Sequence, residues 1–470
     1  MTRISFLLMT RRVVVGLLML ATNAEAQDAK QTDVYRRIRA GLDATPAIDT
    51  HEHLRSFDQM LQFHQARPGT GVTLHSLWQT SYWTRLHRVP PWPEDGSFDT
   101  WWQGARSTFE DGRANSVYRY LLPAFRDLYG IDFETITDQQ ARRLNEQILE
   151  NYRNDTWIKH VIRERANIEL MLVDSYWTPF DFKTYWPFEV RVLRVDSLLR
   201  GFHPSELEHP LEDPYDYARR RDLLLNTFDE YLRVVDRIFE EAKQQGVVCL
   251  KTGMAYKRDL LFAKVSKQEA SQAFGKPRSA LTPQQVRNFE DFMMWRLAEL
   301  SEQYELSFQI HTGNARIQGS NPMLLLNLIE GNPKTKFILF HGGFPWVGET
   351  GAIAFRHRNV WVDSCWLPTV SYSMAKRAYQ EWLEVMPADR ILWGGDGVNA
   401  ESIYGATVVT RQCLAEALAE KVIRGELRQP QAQRIGRGIL RENALKLFPQ
   451  LLTSSRNHAI GLARATQSQD

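Results

Sequence analysis

Two histidines one residue apart, His51 and His53, lie near the end of the run Ile48-Asp49-Thr50-His51-Glu52-His53-Leu54. The run opens on the apolar, strand-like pair Ala47-Ile48, and side chains at i and i+2 of a strand point to the same side. One strand end therefore offers a cation two imidazoles. Three later apolar runs also stop at ligand-type residues: Phe308-Gln309-Ile310 before His311, Phe337-Ile338-Leu339-Phe340 before His341, and Ile391-Leu392-Trp393 shortly before Asp396. Imidazole and carboxylate together suit zinc and related divalent ions, and a catalytic ion keeps one position open for water or substrate. The pattern points to a metal-dependent enzyme with His51, His53, His311 and Asp396 as ligands. A zinc-type ion lowers the pKa of bound water to about 7, and Asp396 is placed to take that water's proton. His341, followed by Gly342-Gly343, is placed to polarise a substrate carbonyl or to bind a second metal. A lone strand-end histidine is more often a hydrogen-bonded core residue, and Asp396 in Gly394-Gly395-Asp396-Gly397 also fits a turn. Recurrence at matching strand ends favours the metal.

Lys251 ends the run Val247-Val248-Cys249-Leu250. A buried lysine has a depressed pKa and becomes nucleophilic, so Lys251 is open to three readings. It forms a carbamate bridging two metals, it holds a substrate anion as an ammonium, or it is a salt-bridged strand-end residue. Arg55, just past the His-x-His, and Tyr256 and Arg258, just past Lys251, would set cationic and phenolic groups near the site and favour a carboxylated substrate. Surface salt bridges explain the same residues. Glu401-Ser402 follows Asp396 closely enough to line a pocket. His64, His75, His87, His160 and His357 lack the strand-end context and read as structural or exposed, with His75 and His87 the pocket candidates among them.

Positioning these groups requires strands whose ends converge. Short runs rich in β-branched or aromatic residues centre on Ala47 to Thr50, Glu169 to Val173, Phe188 to Val195, Val247 to Leu250, Leu306 to Ile310, Phe337 to Phe340, Val360 to Val362 and Ile391 to Trp393. Amphipathic stretches such as Thr227 to Gln244, Pro283 to Tyr304 and Ser373 to Val385 lie between them. A β-then-α order repeated about eight times predicts an α/β chain of the (β/α)8 TIM-barrel type, whose active site sits at the C-terminal strand ends. A doubly wound open sheet has the same periodicity and is the alternative. From Leu54 to Ile168 no strand is expected, a gap far above the usual few-residue loop. The segment 54–168, carrying Trp78, Trp83, Trp92, Trp101 and Trp102, is expected to be a mostly helical insertion after strand 1, rising over the barrel mouth.

The barrel is expected over 27–452, with a polar tail at 453–470. The 470 residues carry a formal net charge of +2, and no basic run is interleaved with aromatics, which argues against nucleic acid. Arg3, Arg11 and Arg12, the apolar run Val13 to Leu20 and then Ala24-Glu25-Ala26 read as a secretory signal peptide over 1–26. Thr10-Arg11-Arg12-Val13 also hints at twin-arginine export. Periplasmic or secreted localisation follows, and no segment reaches the ~20 apolar residues of a stable membrane span. Three scattered cysteines, Cys249, Cys365 and Cys413, make no disulfide framework and read as buried thiols.

Taken together, Asp49-Thr50-His51-Glu52-His53, Gln309-Ile310-His311-Thr312-Gly313, Phe340-His341-Gly342-Gly343-Phe344-Pro345, Ile391-Leu392-Trp393-Gly394-Gly395-Asp396 and Glu442-Asn443-Ala444-Leu445-Lys446-Leu447-Phe448 resemble the amidohydrolase superfamily, in particular its amidohydrolase-related branch. The resemblance runs from Pro46 to Phe448 apart from the insertion. It implies a distorted barrel with one or two divalent metals, most often zinc, with His51, His53, His311 and Asp396 as ligands, Asp396 also as base, and His341 as a catalytic residue or second-metal ligand. Lys251 stands where binuclear relatives carry a carboxylated lysine, and the insertion resembles that of uronate isomerases. The expected function is an exported metal-dependent hydrolase acting on a C–N or C–O bond of a small, carboxylated carbonyl compound. A nonhydrolytic decarboxylase or a uronate-isomerase-like enzyme is the alternative on the same site, followed by an inactive ligand-binding barrel. The partner expected is a small-molecule substrate, and a homo-oligomer is compatible with the chain.

Overall fold

The structure is a computed structural model that describes residues 28–67, 69–207 and 213–452. The signal peptide expected at 1–26 and the tail at 453–470 lie outside them. The described residues form nine strands: β1 (Ala47–Glu52), β2 (Ile168–Val173), β3 (Glu189–Arg191), β4 (Leu193–Arg194), β5 (Cys249–Thr252), β6 (Ser307–Ile310), β7 (Phe337–Leu339), β8 (Val360–Asp363) and β9 (Ile391–Leu392). They pair in parallel as β1-β2-β3 and β4-β5-β6-β7-β8-β9. Only Val192 separates β3 from β4, so the two occupy one position, and the eight positions coincide with the eight expected from sequence.

First and last strands also meet. Thr50 N–H donates to the Trp393 carbonyl at 3.2 Å, Asp396 N–H to that of His51 at 3.0 Å, and His53 N–H to that of Gly397 at 2.9 Å. A closed (β/α)8 barrel needs this contact and an open doubly wound sheet forbids it.

The strands form where they do because their residues suit burial on both faces, as parallel sheets demand. Along β7 the side chains split by alternation: Phe337 and Leu339 join the core shared with the outer helices, whereas Ile338 packs with Ile48, Leu172, Cys249 and Leu392. Leu445, Leu447 and Phe448, at the C-terminal helix Asn443–Leu447, fill that second cluster. Helix Phe228–Gln244 starts on a Thr227–Glu230 capping box and helix Pro283–Gln303 on a Thr282–Gln285 box with proline at its first position, both of which satisfy N–H groups that a helix start leaves open.

Helices dominate the stretch between β1 and β2, around a core of its own. Trp78 packs against Tyr118 with ring centroids 5.5 Å apart and against Phe109 and Phe133. His75 sits edge-on to Trp92 and Trp101, and His87 stacks 3.9 Å from Trp83. The tryptophans and both histidines are thus spent on packing. Helix Ala400–Ile423, which follows β9, is buried along nearly its whole length because insertion and barrel enclose it, and its buried Glu401, Arg411, Glu416 and Lys421 are hydrogen-bonded or ion-paired. Among the described residues no helix is long and apolar enough to cross a membrane.

His64 joins the insertion to the β9 loop. It is 2% exposed, its Nε2 lies 3.2 Å from the Val398 carbonyl and its Nδ1 3.1 Å from the Thr80 hydroxyl. Burial pulls its pKa down to about 4, so the folded state keeps it neutral while the unfolded chain protonates it near 6.5. Its contribution is therefore full above pH 6.5 and lost as pH falls towards 4, worth on the order of 3 kcal/mol across that window. We expect His64→Gln to flatten the loss of urea stability between pH 7 and pH 4.5; an unchanged difference from wild type would refute this assignment.

Candidate metal centre

The C-terminal ends of the strands bring most of the chemistry-bearing residues into one cavity of about 460 Å³, lined among others by His51, His53, Lys251, His311, His341 and Asp396. His51 Nε2 lies 3.6 Å and His53 Nε2 3.2 Å from the same oxygen, Asp396 Oδ1. His53 Nδ1 is 2.9 Å from the Asp174 carbonyl, which fixes that nitrogen as donor and directs Nε2 at Asp396. His311 and His341 form a second pair, with His311 Nδ1 2.8 Å from His341 Nε2. The structure thus sets His311 beside His341, while His51, His53 and Asp396 form a three-ligand group of their own.

Backbone strain marks the same place. His341, Trp366 and Asp396 have φ of 61°, 67° and 60°, a region that L-residues occupy at a cost of roughly 1–3 kcal/mol each. All three follow strand ends around the cavity. The β9 loop can lie flat on β1 because Gly395 has no side chain: a Cβ there would come within 2.1 Å of Glu52 Oε1. Asp49 accepts the N–H groups of His51 and Gly395, and Glu52 accepts that of Gly397. Burial raises the Asp49 carboxyl to about 7 and Glu52 well above its ordinary value, and the two hold the loop on either side of Asp396.

Asp396 itself goes the other way. Burial would raise it, but the His53 hydrogen bond and the surrounding imidazoles hold it well below the usual carboxylate range. His53 is pushed up despite burial by the same carboxylate. His51 and His311 are held well below 6.5 by burial, with Lys251 adding for His51 and His341 for His311; His341 falls to about 3 through burial and then Lys251. Neutral imidazoles at His51, His311 and His341 beside an ionised carboxylate suit a divalent metal, and a bound ion would displace the proton that Asp396 favours on His53. The fit extends to atoms: His51 Nδ1 and His311 Nε2 are buried with no hydrogen-bond partner.

The remaining sequence candidates divide. Lys251 lines the cavity, 2% exposed, its amine without a hydrogen-bond partner and 3.9 Å from the centre of the Phe340 ring, and burial lowers its pKa. It forms no ion pair among the described residues. Tyr256 lines the cavity too, 4.4 Å from the His311 ring. Arg258 turns away into a buried cluster with Glu290 and Asp291, and Arg55 lies over the Trp177 and Phe63 rings; neither is among the lining residues. Ser402 is one, whereas Glu401 sits behind it, accepting from Tyr129, Tyr152 and Trp157.

Arg194, Arg85 and Tyr82 are among the residues that reach the cavity without having been singled out from sequence. Arg194, at the end of β4, is clamped by Asp174 and Asp196, and the strand-end criterion that selected Lys251 would have selected it. Arg85 and Tyr82 come from the insertion, where no periodicity flags them. Tyr82 O–H donates to Asp396, 2.5 Å from Oδ2 and 2.8 Å from the carbonyl oxygen. A hydrogen bond to a charged group is worth about 1.5–3 kcal/mol, so Tyr82→Phe is expected to lower kcat at least about tenfold with metal content and Tm unchanged. An unaltered kcat would remove Tyr82 from the site's workings.

Known proteins resemble this chain in two ways. Over 146 residues, 30% of the chain, it is 31% identical to Protein fluG of Emericella nidulans, covering 17% of that protein's length. In fold it is similar to the uronate isomerase of Thermotoga maritima, with a TM-score of 0.69 at 17% identity over 88% of this chain and 97% of that one. The glucuronate isomerase of Caulobacter crescentus gives 0.71 at 17% identity over 90% and 95%. The insertion occupies more of the chain than these neighbours leave uncovered, so the likeness includes part of it. Residues 212–450 match the family described as Amidohydrolase, and with the strand-end imidazoles and carboxylate in place the chain belongs to the amidohydrolase family.

Proposed function

We propose that this chain is an exported, metal-dependent hydrolase that cleaves a C–N or C–O bond of a small, carboxylated carbonyl compound. The observation that carries the reading is the convergence of His51 Nε2 and His53 Nε2 on Asp396 Oδ1 beside the His311–His341 pair in one cavity. A divalent ion, zinc by the donor set, would be held by His51, His53 and Asp396, with His311 lining the same cavity; when bound it supplies Lewis acidity and a more acidic water. The chain's own groups do the rest. Asp396, ionised and steadied by Tyr82, takes the proton of the attacking water and returns it to the departing nitrogen or oxygen. His341, neutral, faces the carbonyl oxygen. Arg85, exposed at the cavity and without an ion-pair partner among the described residues, meets the substrate's carboxylate in place of Arg55 and Arg258. Export rests on the signal-peptide reading of 1–26.

A uronate-isomerase-like activity is the second reading, favoured by fold similarity that extends into the insertion. Turnover in ¹⁸O-labelled water separates the two. The hydrolase places the label in the product acid, whereas an unlabelled product isomeric with its substrate would sink the hydrolytic reading.

A further inference from the structure

A second cavity, of about 280 Å³, lies beside the metal centre. Tyr176, Arg194 and Tyr256 line both it and the larger cavity, so the two abut along these side chains. The Tyr256 ring is 4.4 Å from that of His311 and the Tyr176 ring 5.4 Å from that of His53, and the two tyrosines are 47% and 36% exposed. A molecule spanning the boundary therefore meets two phenol rings, apolar on their faces and polar at their tips. Charges around the outer cavity nearly cancel. Arg194 is ion-paired with Asp174 and Asp196, and Arg200 faces Glu206 at 3.9 Å. Asp196 also accepts from the Thr252 hydroxyl and the Gly253 N–H, Asp213 accepts the Asp216 N–H, and Lys257 adds one cation. One lining atom, the Ser197 hydroxyl oxygen, is buried with no hydrogen-bond partner among the described residues. Buried polar atoms are nearly always hydrogen-bonded in folded proteins, so this one marks where a ligand's polar group would be met.

We propose that the substrate is a two-part molecule: its carboxylated, reacting part sits at the metal centre, and an uncharged, hydroxylated ring of the sugar class occupies the outer cavity. The C–H faces of such a ring suit the Tyr176 and Tyr256 rings, and its hydroxyls suit Ser197 and the polar groups around it. An apolar group would leave the Ser197 oxygen unsatisfied and strip water from the charged lining without replacing its hydrogen bonds. A second ionic group gains little where the surrounding charges are already paired. The proposal names the substrate class for the hydrolase reading, on which the placement of the reacting part rests.

The test is calorimetric titration of the zinc-loaded full chain with gluconate and with lactobionate, which share a gluconate unit and differ by one neutral hexose. Lactobionate should bind at least about tenfold more tightly, the equivalent of one or two net hydrogen bonds. Leu207→Trp, which fills the outer cavity, should remove that preference, and Ser197→Ala should reduce it severalfold. Equal affinities in the wild type, no binding of either acid, or a preference unchanged in either variant overturns the outer subsite. Those outcomes leave hydrolysis to the labelled-water experiment, which reports on the reacting carbonyl alone. A missing label with the preference retained overturns the hydrolytic reading and keeps the subsite. Should Leu207→Trp fail to fold, Ser197→Ala and the wild-type preference decide.

Discussion

Asp396→Asn is expected to lower kcat by at least about 10³-fold, at the upper end of what a positioned general base contributes. Asparagine keeps the size and one acceptor oxygen of the side chain. It removes the negative charge that His51 and His53 face, and it cannot take a proton from water. Both consequences follow from one atom set, since Asp396 Oδ1 faces the two imidazoles and Oδ2 receives the Tyr82 hydroxyl. Rates and metal content should be measured together. Near-wild-type turnover would remove Asp396 from the mechanism. Lost turnover with full metal content would assign it chiefly to proton transfer, and loss of both chiefly to ligation.

His53→Ala should weaken metal binding by more than about 100-fold. Loss of a partner that merely orients a ligand typically costs 10–100-fold, and His53 is placed to be the ligand itself. Its Nδ1 is occupied by the Asp174 carbonyl, so its Nε2 is committed to the centre. Equilibrium dialysis against zinc, with His64→Gln as a control that leaves the cavity lining intact, reads this directly. Equal zinc affinity in His53→Ala and wild type would contradict the assignment.

How legible the chain is depends on the range of the interaction that sets each feature. All eight strand positions were visible because burial on both faces writes an apolar run into the sequence, and the ligand-type residues sat at the ends of those runs. Arg194 satisfies the same rule. Arg55 and Arg258 show its limit: adjacency to a strand end puts a residue near the cavity, but cation–π stacking on Trp177 and ion pairs with Glu290 and Asp291 turned these two elsewhere. The insertion's tryptophans are largely core, because their rings pack against other aromatic rings of the insertion.

By itself, then, the sequence determined the repeated β-then-α order, the eight strand positions and the histidine and aspartate types available at the strand ends, since local periodicity and strand termini are short-range properties. Only the tertiary structure decided that His51 and His53 share one oxygen of Asp396 while His311 pairs with His341. It also decided that Tyr82 reaches across to Asp396 and that Lys251 has no hydrogen-bond partner. These depend on strand pairing, barrel closure and the insertion's docking, which juxtapose residues from 30 positions apart (His311 and His341) to 314 (Tyr82 and Asp396), and no local pattern records such distances.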